Sequence, residues 1–130
     1  MDDENIDIMD GFNAEALDEV KDLMGDKFDL IVDQYLESSM GYLSCIEQGL
    51  KNCDAKIIAS SAHPLKSSSA SLGLINVSQL AQKIELLSDG ASEENESLFE
   101  TLRDLFAQLN TDFKNAEIIL RKEVAEFKAA

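Results

Sequence analysis

From Leu98 to Phe127 the chain places an apolar residue every three or four positions: Leu98, Leu102, Leu105, Leu109, Phe113, Ala116, Leu120, Val124 and Phe127. That spacing keeps all nine on one face of a single long α-helix, expected over roughly 93–127. A stripe this long has to be covered by the apolar faces of other elements. The rest of the chain supplies them in helical form. Phe28, Val32, Tyr35, Leu43, Ile46 and Leu50 recur close to the helical period and predict a helix over roughly 26–50. Leu17, Val20 and Met24 make a shorter stripe between Asn13, a good N-cap, and Gly25, a good helix terminator. Asn52-Cys53-Asp54 breaks the chain, with Asp54 as the next cap, and a third helix is expected from about 55 to 72, ending at Gly73. Asn76 is read as the cap of a fourth helix, with Gln79 at the reciprocal position and Val77, Leu80, Ile84 and Leu87 as its stripe. Ser88-Asp89-Gly90 reads as a turn, and Ser92 as the cap of the last helix with Glu93 and Glu94 in its first turn.

No segment alternates as a strand does. The expected fold is therefore all-α: an up-down antiparallel four-helix bundle with a short additional N-terminal helix, filling residues 13–130 as one domain. Residues 1–12 read as a flexible acidic leader, with Ile6, Ile8, Met9 and Phe12 available to pack on the body.

Charge and cysteine content narrow the function classes. The net charge of −15 carries no basic stripe, which argues against nucleic acid and against a membrane surface as partners. No apolar run reaches the roughly 20 residues needed to span a bilayer, and the acidic start, Met1-Asp2-Asp3-Glu4, is unlike a signal peptide. Cys45 and Cys53 are read as reduced thiols. The expectation is a cytoplasmic protein, and a monomer. One histidine and two cysteines, none at ligand spacing, predict no metal site. There is no glycine-rich phosphate loop. Serines near the histidine lack a sequence-adjacent aspartate and an oxyanion hole, so a hydrolase is a distant reading.

The third helix is the informative one. Advancing about 100° per residue from Ile58 brings Ala62, Leu65, Ser69 and Leu72 to one side, the face expected to be buried. His63 falls at about 140° and Ser67 at about 180°, toward solvent, with Ala59, Ser60, Ala70 and Ser71 around them. Lys66, at about 80°, lies on the flank one turn from His63, within reach of a group carried on its ring. A surface normally carries long charged side chains, whereas here small ones would let another protein approach the imidazole. From Ala55 to Ile84 the chain has no Asp or Glu but has Lys56, Lys66 and Lys83, so an anionic phosphoryl group or an acidic partner pocket would be tolerated there. The plain alternatives are an exposed histidine without chemistry and a small-residue face that packs another helix.

The run Ala62-His63-Pro64-Leu65-Lys66-Ser67-Ser68-Ser69-Ala70-Ser71-Leu72-Gly73, followed by Val77, Leu80, Ile84 and Glu85, resembles the histidine-containing phosphotransfer (HPt) family of two-component phosphorelays. The resemblance extends more weakly from about Asn13 to Phe127. It implies that His63 is the phosphorylated residue, that Lys66 stabilises the phosphoryl oxygens, and that Ser67 holds a small-residue position where the partner docks. Glu85 matches the polar position closing the motif on the neighbouring helix, close to the ring. Ser67 replaces the commoner glycine. Pro64 lies mid-helix, where it removes a backbone donor, and reads either as a tolerated bend or as a device that re-aims His63.

The implied function is a phosphorelay intermediate that accepts a phosphoryl group on His63 from a receiver-domain aspartate and passes it to another receiver. Phosphoryl transfer needs in-line geometry and charge stabilisation more than covalent help, and a neutral imidazole is a nucleophile near neutral pH without a general base. No cofactor is expected in this chain, and Mg²⁺ is expected from the response-regulator receiver partner. Autokinase activity is not expected. Met1 and the lack of attached domains suggest a stand-alone protein, although a domain cut from a hybrid sensor kinase reads the same way. The alternative from another class is a helical adaptor that binds a partner through the small-residue face of the third helix without phosphoryl transfer.

Overall fold

In the computed structural model, which describes residues 11–129, a short helix and four longer ones account for nearly all of the chain. Helix α1 spans Ala14–Met24, α2 Phe28–Asn52, α3 Ala55–Ser71, α4 Ile75–Ser88 and α5 Glu96–Ala129, with a single 3₁₀ turn at Gly25–Lys27 ahead of α2. The long helices pack in a ring, α2 on α3, α3 on α4, α4 on α5 and α5 back on α2. This is the up-down four-helix bundle that the stripes require. Fully buried Phe28, Ile46, Ile58, Leu65, Ile84, Phe99, Leu109 and Leu120 fill its centre. Burying each such side chain contributes about 1.5–3 kcal/mol.

Local chemistry explains most boundaries. The Asn13 side chain accepts from the N–H groups of Glu15 and Ala16, and the Asp54 carboxylate accepts from Ile57 N–H, so α1 and α3 start at the expected caps. Cys53 takes a left-handed conformation (φ 52°) to turn the chain between α2 and α3. At the far end α5 is tied to the start of the chain: Lys21 pairs with Glu123, Lys128 with Asp29, and the rings of Phe28 and Phe127 meet edge to face at 5.2 Å.

Three starts and two stripes differ from the sequence reading. Asn76 does not cap α4. The helix begins at Ile75, its cap position is Leu74, and no side chain caps it. The Gly11 carbonyl instead accepts from Ile75 N–H (2.7 Å) and Asn76 N–H (3.1 Å), so another chain segment supplies the acceptor that a capping side chain would give. Ser92 does not cap α5. It closes a turn, its hydroxyl accepting from Glu94 N–H and its carbonyl from Asn95 N–H, which leaves Glu93 and Glu94 outside the helix. Asn95 takes over, accepting from Leu98 N–H at 3.1 Å. Helix α2 starts later than expected because the 3₁₀ turn occupies Gly25–Lys27. On α4 the inner face is Val77, Ala81, Ile84 and Ser88, a rotation that leaves Leu87 40% exposed. Phe99, outside the expected stripe of α5, is buried.

Gly11 and Phe12, the last two positions of the expected flexible leader, are held in place. Phe12 forms an isolated antiparallel bridge with Leu74, and Asn13 N–H donates to Gly73 O at 2.7 Å. Ile6, Ile8 and Met9 lie outside the described residues. The crossing at the α3–α4 corner depends on Gly73, whose φ is +78° and where an added Cβ would stand 2.3 Å from the Asn13 carbonyl oxygen. Gly73→Ala should therefore lower stability by on the order of 2 kcal/mol. Urea unfolding would measure it, and an unchanged midpoint would mean that the crossing contributes nothing.

Candidate functional site

Helix α3 is gripped from both sides, by α2 and by α4, and this sets its rotation. Ile58, Ala62, Leu65 and Ser69 are buried, as the period predicts, and Leu72 follows them inside. The Ser69 hydroxyl hydrogen-bonds the Tyr35 hydroxyl of α2 at 2.6 Å, which pins the polar member of that face. Burial pushes the Tyr35 phenol above its ordinary value, against the lowering effect of that hydrogen bond, so it stays protonated. The opposite side of α3 is solvent-facing: His63, with its side chain 62% exposed, together with Ser60, Ser67, Ala70 and Ser71. Ala59 and Lys66 are half-buried at the flanks.

α3 runs on through Pro64. The proline cannot donate to the carbonyl of Ser60 four residues back, and Ser60 is an exposed residue, a position where an orphan carbonyl can bond to solvent. The Pro64 carbonyl accepts from the Ser68 hydroxyl at 2.9 Å.

Helix α4 brings Glu85 against this face. Its Oε2 lies 2.7 Å from His63 Nδ1, and its Oε1 lies 3.0 Å from Lys66 Nζ. The three charged or polar groups thus form one cluster in which the carboxylate bridges imidazole and ammonium. The backbone under Lys66 is fixed as well, because its carbonyl accepts from the Ser78 hydroxyl of α4 at 2.9 Å. Beside His63 an open groove runs toward the start of α3 and the end of α4, lined by Lys56, Ala59, Ser60 and Glu85 and closed by Asp89-Gly90-Ala91.

Of the residues singled out in the sequence, the fold brings together His63, Lys66 and Glu85, and places Ala59 and Ser60 in the groove beside them. Ser67, Ala70 and Ser71 do not line that groove. They lie further along the exposed side of α3, with the Ser71 hydroxyl donating to Ser67 O. Ser78 and Ala91 were not anticipated, while Lys56 was noted only within the acid-free stretch and Asp89-Gly90 only as a turn. One signal for the cluster was available: Glu85 is the first acidic residue after the long acid-free stretch, immediately following Ile84. Among the described residues no group of three or more His, Cys, Asp or Glu side chains is gathered to hold a metal ion.

The model of the Hpt domain family matches residues 30–112, a span that contains His63, Lys66 and Glu85. The chain belongs to the Hpt domain family. The Hpt domain is also similar in structure to a crystal structure of histidine-containing phosphotransfer protein B (HptB) from Pseudomonas aeruginosa PAO1. The TM-score is 0.79 at 18% identity, over 88% of this chain and 94% of that one, a likeness of fold. A search of curated proteins finds no match to the chain. Family membership assigns the Hpt domain a phosphotransfer role in two-component signalling. No helix among the described residues is long and apolar enough to cross a membrane.

The electrostatics of the cluster fix a tautomer. Burial acts to raise the Glu85 carboxyl, but the neighbouring Lys66 ammonium and His63 ring outweigh it and hold the group below its ordinary value of 4.5. Glu85 is therefore a carboxylate at neutral pH and can only accept. The hydrogen at its contact with the neutral ring must come from Nδ1, which leaves the lone pair of His63 on Nε2. The same depression makes a stability prediction. The folded state favours the carboxylate, so its contribution is complete above the ordinary value and is lost as pH falls through the folded-state value. Glu85→Gln should be less stable than wild type near neutral pH, and the gap should narrow below pH 4.5, read from urea midpoints across pH. A gap that stays constant with pH would rule this contribution out.

Proposed function

We propose that this Hpt domain is a phosphorelay intermediate. His63 accepts a phosphoryl group from the aspartate of one response-regulator receiver domain and passes it to another. The observation that supports the reading is an exposed imidazole whose Nδ1 lies against the Glu85 carboxylate, which on this reading leaves Nε2 as the nucleophile. The Nε2 lone pair attacks phosphorus as the bond from phosphorus to the aspartate oxygen breaks, and the aspartate leaves as a carboxylate. The Lys66 ammonium neutralises the phosphoryl oxygens. It is half-buried on the flank of α3 and already has one anionic partner in Glu85, so it exchanges one anion for another.

The remaining parts come from the partner. No metal-binding cluster stands beside His63 among the described residues, and we assign Mg²⁺ and the acidic pocket to the receiver. The exposed small side chains Ser60, Ser67, Ala70 and Ser71 supply the approach surface, with half-buried Ala59 at its edge. We take the chain to act as a carrier without autokinase activity, in the cytoplasm, as a monomer. Its working unit is the bundle of residues 13–130, preceded by the leader 1–12.

Two variants test this reading. His63→Gln should keep its helical circular dichroism and melt within the range of ordinary surface changes, about 0.5 kcal/mol, while losing all phosphoryl uptake. Acid-labile phosphate on that variant would exclude His63 as the acceptor. Ser67→Arg changes an exposed position and should fold normally, yet it puts a long side chain one turn from the ring on the docking side. Transfer from a receiver should slow at least tenfold, while labelling by phosphoramidate, a small donor that needs no docking, proceeds at the wild-type rate. Wild-type transfer from the receiver would mean that this face is not where the receiver docks.

A further inference from the structure

We infer that the Ser60 main-chain carbonyl, deprived of its helical donor by Pro64, is a selectivity element of the docking face, accepting receivers that present a hydrogen-bond donor to it and rejecting those that do not. The inference rests on the proposal that His63 exchanges phosphoryl groups with receiver domains, and it adds a requirement on which receivers are served.

Its basis is the position of one residue. The only proline of the chain stands next to His63, inside a helix that continues past it. In an α-helix each carbonyl accepts from the N–H four residues further on, and Pro64 has none to give to Ser60. No side chain among the described residues replaces it. The Ser60 hydroxyl donates backward to Ile57 O at 3.2 Å, and the Ser68 hydroxyl donates to Pro64 O at 2.9 Å. Ser60 is exposed and lines the same groove as His63. The helix thus gives up one of its own bonds on the side where the candidate nucleophile stands.

In the free domain this costs little, because solvent can bond to the carbonyl. Docking changes the cost. Ser60 precedes His63 by three residues, about 4.5 Å along the helix axis. A specific interface covers about 800 Å² on each partner. A receiver that brings its aspartate into line with Nε2 therefore covers the Ser60 carbonyl too and strips solvent from it. A carbonyl bonded within its helix is indifferent to such covering. An orphan carbonyl is not, since a buried acceptor without a donor costs more than a matched hydrogen bond returns. A receiver with an N–H or O–H at this point restores the bond that Pro64 removed. One with an apolar group or an acceptor there is penalised. Discrimination of this kind works chiefly against the wrong partner, by leaving it an unpaired polar group to bury.

The test compares wild type with Pro64→Ala and Pro64→Ser, both of which return an N–H to the Ser60 carbonyl. Each protein is offered a panel of purified, phosphorylated receiver domains, and transfer rates are measured. Labelling by phosphoramidate, which needs no docking, is followed in parallel and should keep its wild-type rate. The ratio of rates between the best and the poorest receivers should shrink about tenfold in both variants, the poor donors gaining on the good ones. An unchanged ratio overturns the inference. So does equal slowing of every receiver, which is what a merely structural role of the proline would give. A ratio that shrinks in one variant only also overturns it, because the effect would then follow the side chain and not the restored N–H. If phosphoramidate labels His63 but no receiver transfers to wild type, the relay reading itself falls, and the selectivity with it, an outcome distinct from the other three.

Discussion

The burial of Ile58, Ala62, Leu65 and Ser69 along one side of α3 fixes everything at the site, because a helix has a single rotation about its axis and that rotation is set by what it must hide. With these side chains sealed between α2 and α4, His63 has to stand outside, and Lys66 has to lie at the edge where α4 passes. Ser69 sharpens the constraint. A buried hydroxyl is costly unless bonded, and its bond to Tyr35 penalises a register of α3 against α2 that would separate the two. The exposed imidazole is thus oriented by packing that lies behind it.

A second tier of structure orients the ring itself. Glu85 belongs to α4, and α4 is held at its start by the backbone of Gly11 and along its inner face by Val77, Ala81 and Ile84. The corner between α3 and α4 therefore controls how Glu85 meets His63. That corner needs Gly73, both for its left-handed conformation and for the close crossing by Asn13. The cluster is a compact use of charge in a strongly acidic chain: one carboxylate, one ammonium and one imidazole, set where no other acidic residue intervenes for thirty positions.

The residues of the candidate site were legible in the sequence to different degrees, for identifiable reasons. His63 and Ser67 could be placed on the exposed side of α3 because helical rotation depends only on spacing. Lys66 could be placed on the flank by the same argument, but its partner could not, because the ion pair with Glu85 is made between helices. Glu85 was singled out through the resemblance to the phosphotransfer family, its place at the end of the acid-free stretch being a further signal, and its bond to Nδ1 only through coordinates. Lys56 stood out in the acid-free stretch and Asp89-Gly90 as a turn, but nothing in the sequence joined them into one groove. They come together because the start of α3 lies beside the end of α4.

By itself the sequence determined the helical class, the bundle, the helix ends set by Asn13 and Asp54, and the outward face of α3. All of these follow from local periodicity and from side chains that bond their own neighbouring backbone. It could not determine the start of α4, where a carbonyl from Gly11 replaced the expected cap. Nor could it determine the choice of Asn95 over Ser92, or the turn of α4 that exposes Leu87 and buries Ala81. Where two segments compete to satisfy the same N–H groups, or two helices choose a mutual rotation, the outcome depends on distances through space. For the same reason only the tertiary structure decided the tautomer of His63, which is set by a carboxylate twenty-two residues away on another helix.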